Sequence, residues 1–273
     1  MLMQNFLRDR RSFREFRNKK VNEEMLNNVT KSIYDVLKEA QESDINIGLT
    51  LHIDGDSIFK ELQNIGGYSG VMIKSPHYIS LQINDDEERT EIYGAYFTEK
   101  LITKINAIGL EACWLTLAHV EGYKRVKALG DVGKNTGYML AIGYPPRKNP
   151  FVKGVTPSER LGVEEIVFQD TVETPIDMKW LDERSLDDLF YYVRFAPSSR
   201  NSQPWRFLLK NNRVKLLMAY ETPQDIALID AGVMMYYFEE MARSIGISRK
   251  WEMIDGICEG KLAKYKYIAE YEV

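Results

Sequence analysis

Apolar residues recur at helical spacing in two stretches of each half of the chain, and shorter β-rich runs separate them. Asn22 is placed as an N-cap, with Glu23 and Glu24 in the first turn, where the helix dipole favours acids, and Val21 stapled towards Leu26. The helix it opens carries Leu26, Val29, Ile33, Val36 and Leu37 on one face. A strand is predicted at Tyr78–Ile83, and a second helix follows from Tyr93, Phe97, Leu101 and Ile105 at four-residue spacing. Gly109 then suits the left-handed position that ends a helix. In the second half, Ser185 reads as an N-cap with Asp188 three residues on, and Leu186, Leu189, Phe190 and Val193 form the apolar face of a helix ending at Pro197. Strands are predicted at Arg206–Leu209 and Val214–Met218. Ile229, Val233, Tyr237 and Met241 form a last helix, stopped at Gly246.

The two halves read as one plan used twice. Ile108-Gly109-Leu110-Glu111-Ala112-Cys113-Trp114 aligns with Ile245-Gly246-Ile247-Ser248-Arg249-Lys250-Trp251, half a chain away, and each heptad closes a helix that follows a helix and a strand. Between the halves, Gly143–Pro157 holds Pro145, Pro146, Pro150 and Pro157 among basic residues, as an extended connection would. The expected organisation is a first half at 1–150, a connection at 151–179 and a second half at 180–273, intertwined as one structural unit. A length of 273 residues lies near the upper limit of what one core organises, and is compatible with that plan.

Composition narrows the function by exclusion. Forty acidic against 36 basic residues leave a net charge of −4, which argues against nucleic acid or an anionic membrane as the main partner. Cys113 and Cys258 form no C-x-x-C pair, and His52, His77 and His119 stand far apart, so no metal site is expected. The chain has no apolar run long enough to span a membrane, and its arginine-rich N-terminus lacks the apolar stretch of a secretory signal. A cytoplasmic location is the resulting expectation.

Three stretches could carry chemistry. Arg8-Asp9-Arg10-Arg11-Ser12-Phe13-Arg14 concentrates guanidinium forks beside a hydroxyl, which suits a phosphate monoester, although a solvated basic arm has the same composition. Ala196-Pro197-Ser198-Ser199-Arg200-Asn201-Ser202-Gln203-Pro204-Trp205 packs hydroxyls, amides and an arginine into a turn fixed by prolines. Read alone, it would be a capped turn entering a strand. Gly109–Trp114 could present the backbone N–H groups of Glu111 and Ala112 to a ligand, while Cys113 and Trp114 are core residue types. Gly66-Gly67-Tyr68-Ser69-Gly70 and Gly133-Lys134-Asn135-Thr136-Gly137 match neither a dinucleotide fingerprint nor a P-loop, and Asp54-Gly55-Asp56 reads as a turn.

Taken together, Arg10-Arg11-Ser12-x-Arg14, Ala196-Pro197-Ser198-Ser199-x-Asn201-x-Gln203-Pro204-Trp205 and Gly109-Leu110-Glu111-x-Cys113-Trp114 resemble the signatures of the nitroreductase family over most of the chain. The resemblance implies an α+β fold with mixed and antiparallel sheets flanked by helices, arranged as an internally duplicated pseudo-dimer. In the family two subunits interlock around FMN. Here the first half carries the arginine-serine motif and the second carries the proline-serine turn, while Gln41–Asn46 and Trp180–Arg184 stand where the missing copies would be. The chain thus resembles members in which one polypeptide mimics the homodimer, which implies a monomer with one FMN.

The implied FMN ligands are Arg10, Arg11, Ser12, Arg14, Pro197, Ser198, Ser199, Asn201 and Gln203, with backbone N–H groups of Glu111 and Ala112 near the reactive ring. Arg160 and Lys153, beyond the Gly143-Tyr144-Pro145 strand end, are the implied basic contacts to the phosphate. The implied activity is reduction of a small electron acceptor, such as a nitroaromatic or quinone, with NADH or NADPH as reductant. No protein acid or base is required. The alternative is a non-catalytic FMN-binding protein on a degenerate version of the fold.

Overall fold

The computed structural model describes residues 2–68, 70–147, 159–222, 226–260 and 264–273. The chain divides into two compact units, Ser12–Gly154 and Met1–Arg11 with Val155–Val273, so helix α1 (Met3–Asp9) groups with the C-terminal part.

In the unit Ser12–Gly154, the predicted first helix is α2 (Glu23–Glu42), and its cap is as expected: Asn22 is extended and its side chain accepts the Met25 N–H at 2.8 Å. The face it buries is Val29, Ile33, Val36 and Ala40. Next come β1 (Ile47–His52), α3 (Gly55–Leu62), β2 (His77–Ile83), α4 (Glu88–Ala107), β3 (Glu111–Thr116), α5 (Gly122–Leu129) and β4 (Thr136–Gly143). The strands form an antiparallel sheet in the order β1-β2-β4-β3. Central β2 is buried on both faces, which explains why its sequence is a run rather than an alternation. Helix α4 packs against α2 and the sheet, and Gly109, with φ of 83°, ends it as predicted. A second cluster of Ile58, Leu62, Met72, Tyr78, Leu115, Met139 and Ala141 includes residues of α3 and of three strands. Helix α3 is a correction to the sequence reading. Asp54 is a helix cap, accepting the Ser57 N–H at 3.2 Å, rather than part of a simple turn. Gly55 follows because a Cβ there would stand 2.2 Å from the Ser75 carbonyl oxygen.

The other unit continues with α6 (Val163–Ile166), β5 (Val167–Gln169), α7 (Met178–Asp182), α8 (Asp187–Val193), β6 (Trp205–Lys210), β7 (Arg213–Tyr220), α9 (Leu228–Ser244), β8 (Glu252–Met253), β9 (Ile257–Glu259) and β10 (Lys264–Glu272). Its sheet runs β5-β6-β7-β10-β8, with β9 also on β10; only β5 pairs in parallel. Phe190 of α8 meets Phe207 of β6 and Phe238 of α9 at 5.4 and 5.8 Å, and Phe238 continues to Trp251 and Tyr271 at 4.9 and 5.3 Å. This aromatic core fixes the end of β6 that emerges from the Pro197–Trp205 turn. Two boundaries differ from expectation. Ser185 has φ of 56° and caps nothing, because α8 starts after Leu186; the helix then ends at Val193 rather than Pro197. A left-handed residue cannot adopt the extended cap geometry that its sequence suggested.

Each unit, taken by itself, places a helix before its first antiparallel strand and another between its second and third. With parallel β5 and the short β9 set aside, each orders its sheet first-second-fourth-third, as β1-β2-β4-β3 and β6-β7-β10-β8.

Candidate functional site: a guanidinium cluster beside a strained turn

The proline-serine turn links α8 to β6 through backbone that few residues tolerate. Arg200, Asn201 and Gln203 all have left-handed φ, at 53°, 58° and 49°. Each such conformation costs on the order of 1–3 kcal/mol and persists only where the surroundings over-determine it. Here the clamps are visible. Ser198 Oγ accepts the Gln203 N–H at 3.0 Å, and the Asp230 carboxylate accepts the Ser199 N–H at 3.0 and 3.1 Å. Gln203 Oε1 accepts the Leu161 N–H at 2.9 Å, while its Nε2 donates to the carbonyls of Glu159 and Asn201. Asn201 Nδ2 also donates to the Glu159 carbonyl, at 2.9 Å. Arg206 donates to the Gln203 and Trp205 carbonyls at the turn's exit, and burial pulls its pKa down. The Ser199 hydroxyl has no protein partner among the described residues.

Guanidinium groups gather at the same place. Arg160 donates from Nη1 to Asn201 Oδ1 and from Nη2 to the Phe195 carbonyl at 3.3 Å, so neither bond neutralises its charge. Burial, then the nearby Arg10 and Arg194, lower its pKa from the ordinary arginine value. Arg194 donates to the carbonyls of Tyr191 and Leu161 and lies over the rings of Tyr191 and Phe195 at 4.5 and 4.7 Å. Arg10 is held from α9, with its Nε donating to the Tyr237 hydroxyl at 3.0 Å. Like charges brought together in a half-buried place disfavour one another, and an anion reverses the sign of that interaction.

The family model described as "Putative TM nitroreductase" matches residues 3–242. The chain belongs to this nitroreductase family. Among solved structures, a putative nitroreductase from Thermotoga maritima is 16% identical, covers 98% of this chain and 94% of its own, and superposes with a TM-score of 0.57, a shared fold. Nitroreductase A from Vibrio parahaemolyticus (15% identical, 70% and 86% covered, TM-score 0.45) and a nitroreductase with bound FMN from Bacteroides fragilis (12%, 59% and 97%, 0.40) also match. No curated protein matches the chain.

Of the nitroreductase motif residues, the structure gathers Arg10, Arg160, Ser198, Ser199, Asn201 and Gln203 within one unit, and Pro197 leads into the turn. Asn201 and Gln203 spend their amides on Arg160 and on the main chain, so their visible work is to hold the turn. Arg11 and Arg14 are exposed, and their side chains make no hydrogen bond or ion pair among the described residues. Ser12 and Arg14, with Glu111 and Ala112, belong to the other unit. Glu111 and Ala112 open β3, which pairs with β4 alone. Successive strand amides point to opposite sides, so one of this pair joins the ladder and the other faces away from it. Lys153 lies outside the described residues, as do 151–158 of the predicted 151–179 connection; the rest of that stretch carries α6 and β5, which pairs with β6. Sequence reasoning missed Arg194, Asp230 and Tyr237. Arg194 directly follows α8, Asp230 lies in the first turn of α9 and Tyr237 in its middle; in sequence an acid in a first turn reads as a dipole complement and a tyrosine on an apolar face as core, and only the turn's spatial partners reveal the difference.

No helix among the described residues is long and apolar enough to cross a membrane, and no group of three His, Cys, Asp or Glu residues among them could hold a metal ion.

Proposed function

We propose that this nitroreductase-family chain is an FMN-dependent oxidoreductase that takes electrons from NADH or NADPH and reduces a small acceptor such as a nitroaromatic or a quinone. The observation that carries the reading is the half-buried Arg160, crowded by Arg10 and Arg194 and, among the described residues, bonded only to neutral oxygens. The chemistry of that donor set fits a phosphate monoester dianion, because planar guanidinium forks make paired charge-assisted bonds to phosphate oxygens. Family membership makes FMN the phosphate monoester of choice.

When bound, FMN supplies the hydride and electron chemistry that amino-acid side chains lack. The chain's own residues have simpler tasks. Arg160, Arg10 and Arg194 neutralise the phosphate; Asn201 aims Arg160, and Tyr237 aims Arg10. The Ser199 hydroxyl and the Ser198 proton are available as donors beside them. By the family resemblance, Ser12 and Arg14 add phosphate contacts, and the outward-facing amide of Glu111 or Ala112 donates to the reactive ring. The motifs occur once each, so one FMN per chain is expected, with the chain serving as its own homodimer. The shared strand order of the two units supports that reading.

Titration of FMN fluorescence by the purified full-length chain, followed by NAD(P)H oxidation with and without a nitroaromatic, tests the proposal. Saturable quenching with acceptor-dependent turnover is expected. Quenching without turnover would leave a flavin-binding protein, and no quenching would refute the assignment.

A further inference from the structure

The proline-serine turn has two clamps, and no motif of the family resemblance includes the one on α9. Asp230 is only 5% exposed, although it is an acid in the first turn of that helix, a position where a carboxylate ordinarily faces water. Its two carboxylate oxygens both lie within hydrogen-bond distance of the Ser199 N–H, at 3.0 and 3.1 Å. That N–H is the first amide after Ser198, which is extended with φ of −139° and ψ of 161°. The left-handed residues Arg200, Asn201 and Gln203 follow directly. The carboxylate therefore holds the turn at its entry, and the Glu159–Leu161 segment holds it at its exit. Releasing the entry would favour relaxation of the left-handed residues to extended backbone, which would carry the Asn201 amide away from Arg160.

We propose that Asp230 is a positioning residue for the cofactor: it latches the Ser198–Gln203 turn in the strained conformation that keeps the Ser198 and Ser199 hydroxyls and Arg160 aimed at one ligand. The inference rests on the FMN reading for the identity of the ligand, and on the turn geometry alone for the latch. It assigns Asp230 no contact with flavin and no proton in the reaction. A charged acceptor on a half-buried amide is worth more than a neutral one, but the oxygen is the essential part, so asparagine should largely replace aspartate while alanine should not.

The test compares Asp230→Ala and Asp230→Asn with the parent chain by two readouts. One is the FMN dissociation constant from fluorescence quenching. The other is backbone amide exchange over residues 198–203 in the flavin-free protein. Alanine is expected to speed exchange in that segment and to raise the dissociation constant by about tenfold or more, while asparagine stays within about threefold of the parent on both. If alanine lowers the melting temperature yet leaves exchange over 198–203 and FMN affinity unchanged, Asp230 only packs α9 and the proposal falls. Equal damage from asparagine and alanine would also overturn it. Should Asp230→Ala fail to fold, Ser199→Pro removes the accepted N–H from a position whose extended predecessor tolerates proline, and Ser199→Ala controls for the hydroxyl. Proline must then exceed alanine in both effects. If the parent chain binds no FMN, the cofactor reading fails separately, and exchange decides the latch.

Discussion

Replacing Arg160 with alanine isolates the phosphate claim, because the guanidinium is embedded in the cluster and its protein bonds go to neutral oxygens. A hydrogen bond to a charged partner contributes about 1.5–3 kcal/mol, which converts to an FMN dissociation constant about 10- to 150-fold higher in Arg160→Ala. The same substitution removes a cation that Arg10 and Arg194 disfavour. The flavin-free protein should therefore lose little stability, and the loss of the Asn201 and Phe195 contacts is partly offset. Riboflavin supplies the internal control, as it presents the ring and ribityl chain without the phosphate. Fluorescence-quenching titrations should show a large loss for FMN and a loss of about threefold or less for riboflavin. The FMN loss should shrink as salt is raised, since screening weakens the parent's charge-assisted contact. Equal losses for the two flavins would mean that Arg160 shapes the turn rather than binding phosphate. An unchanged FMN constant would refute the reasoning outright.

Phe238 is fully buried and meets four aromatic rings, so Phe238→Ala should cost about 3–5 kcal/mol in urea unfolding followed by tryptophan fluorescence; a cost under about 1 kcal/mol would mean that the core collapses around the gap. His77 accepts the Val21 N–H at Nε2, at 3.1 Å, and donates from Nδ1 to the Ile53 carbonyl, and burial, helped by Lys20, lowers its pKa below 6.5. The unfolded chain then binds more protons than the native one just below that value. His77's contribution is complete above pH 6.5 and is lost as pH falls from there through the lowered native pKa; unfolding free energies measured from about pH 8 down to about pH 5 should decline, and less steeply in His77→Gln. His52, whose pKa burial also lowers, adds in the same direction. Asn22→Ala should cost about 1 kcal/mol through the lost α2 cap, read by the same denaturation assay, and Asn22→Asp should not.

The long elements were legible because periodicity and capping agree locally: α2, α4 and α9, β2 and β7, and the stops at Gly109 and Gly246 all follow from residues within one helical turn. Local signals failed where two of them compete or where the deciding partner is distant. Ser185 has the chemistry of an N-cap, but it sits in the left-handed stop of the preceding α7, where its N–H donates to the Asp182 carbonyl at 2.9 Å and the Leu186 N–H to the Leu181 carbonyl at 3.0 Å. Helix α3 was hidden because Asp54-Gly55 reads as a turn until the Ser75 and Pro76 backbone shows why no side chain fits at Gly55. At the site, the motifs put forward Arg10 and the 197–205 turn and the family resemblance put forward Arg160, which the structure places in one unit, whereas Arg194 and Asp230 are visible only as partners across the fold. Gln203, expected at the ligand, also holds the turn to the Glu159–Leu161 segment.

The central claim is that the chain binds FMN, once, through its own motifs. Equilibrium dialysis of the full-length protein against FMN, with bound flavin quantified after denaturation, tests it most directly. The account predicts saturation at one FMN per chain, with binding weakened by loss of Arg160 or of the Ser199 amide. Saturation at two per chain would contradict the single motif set, and no binding at all would contradict the assignment of the guanidinium cluster to a flavin phosphate.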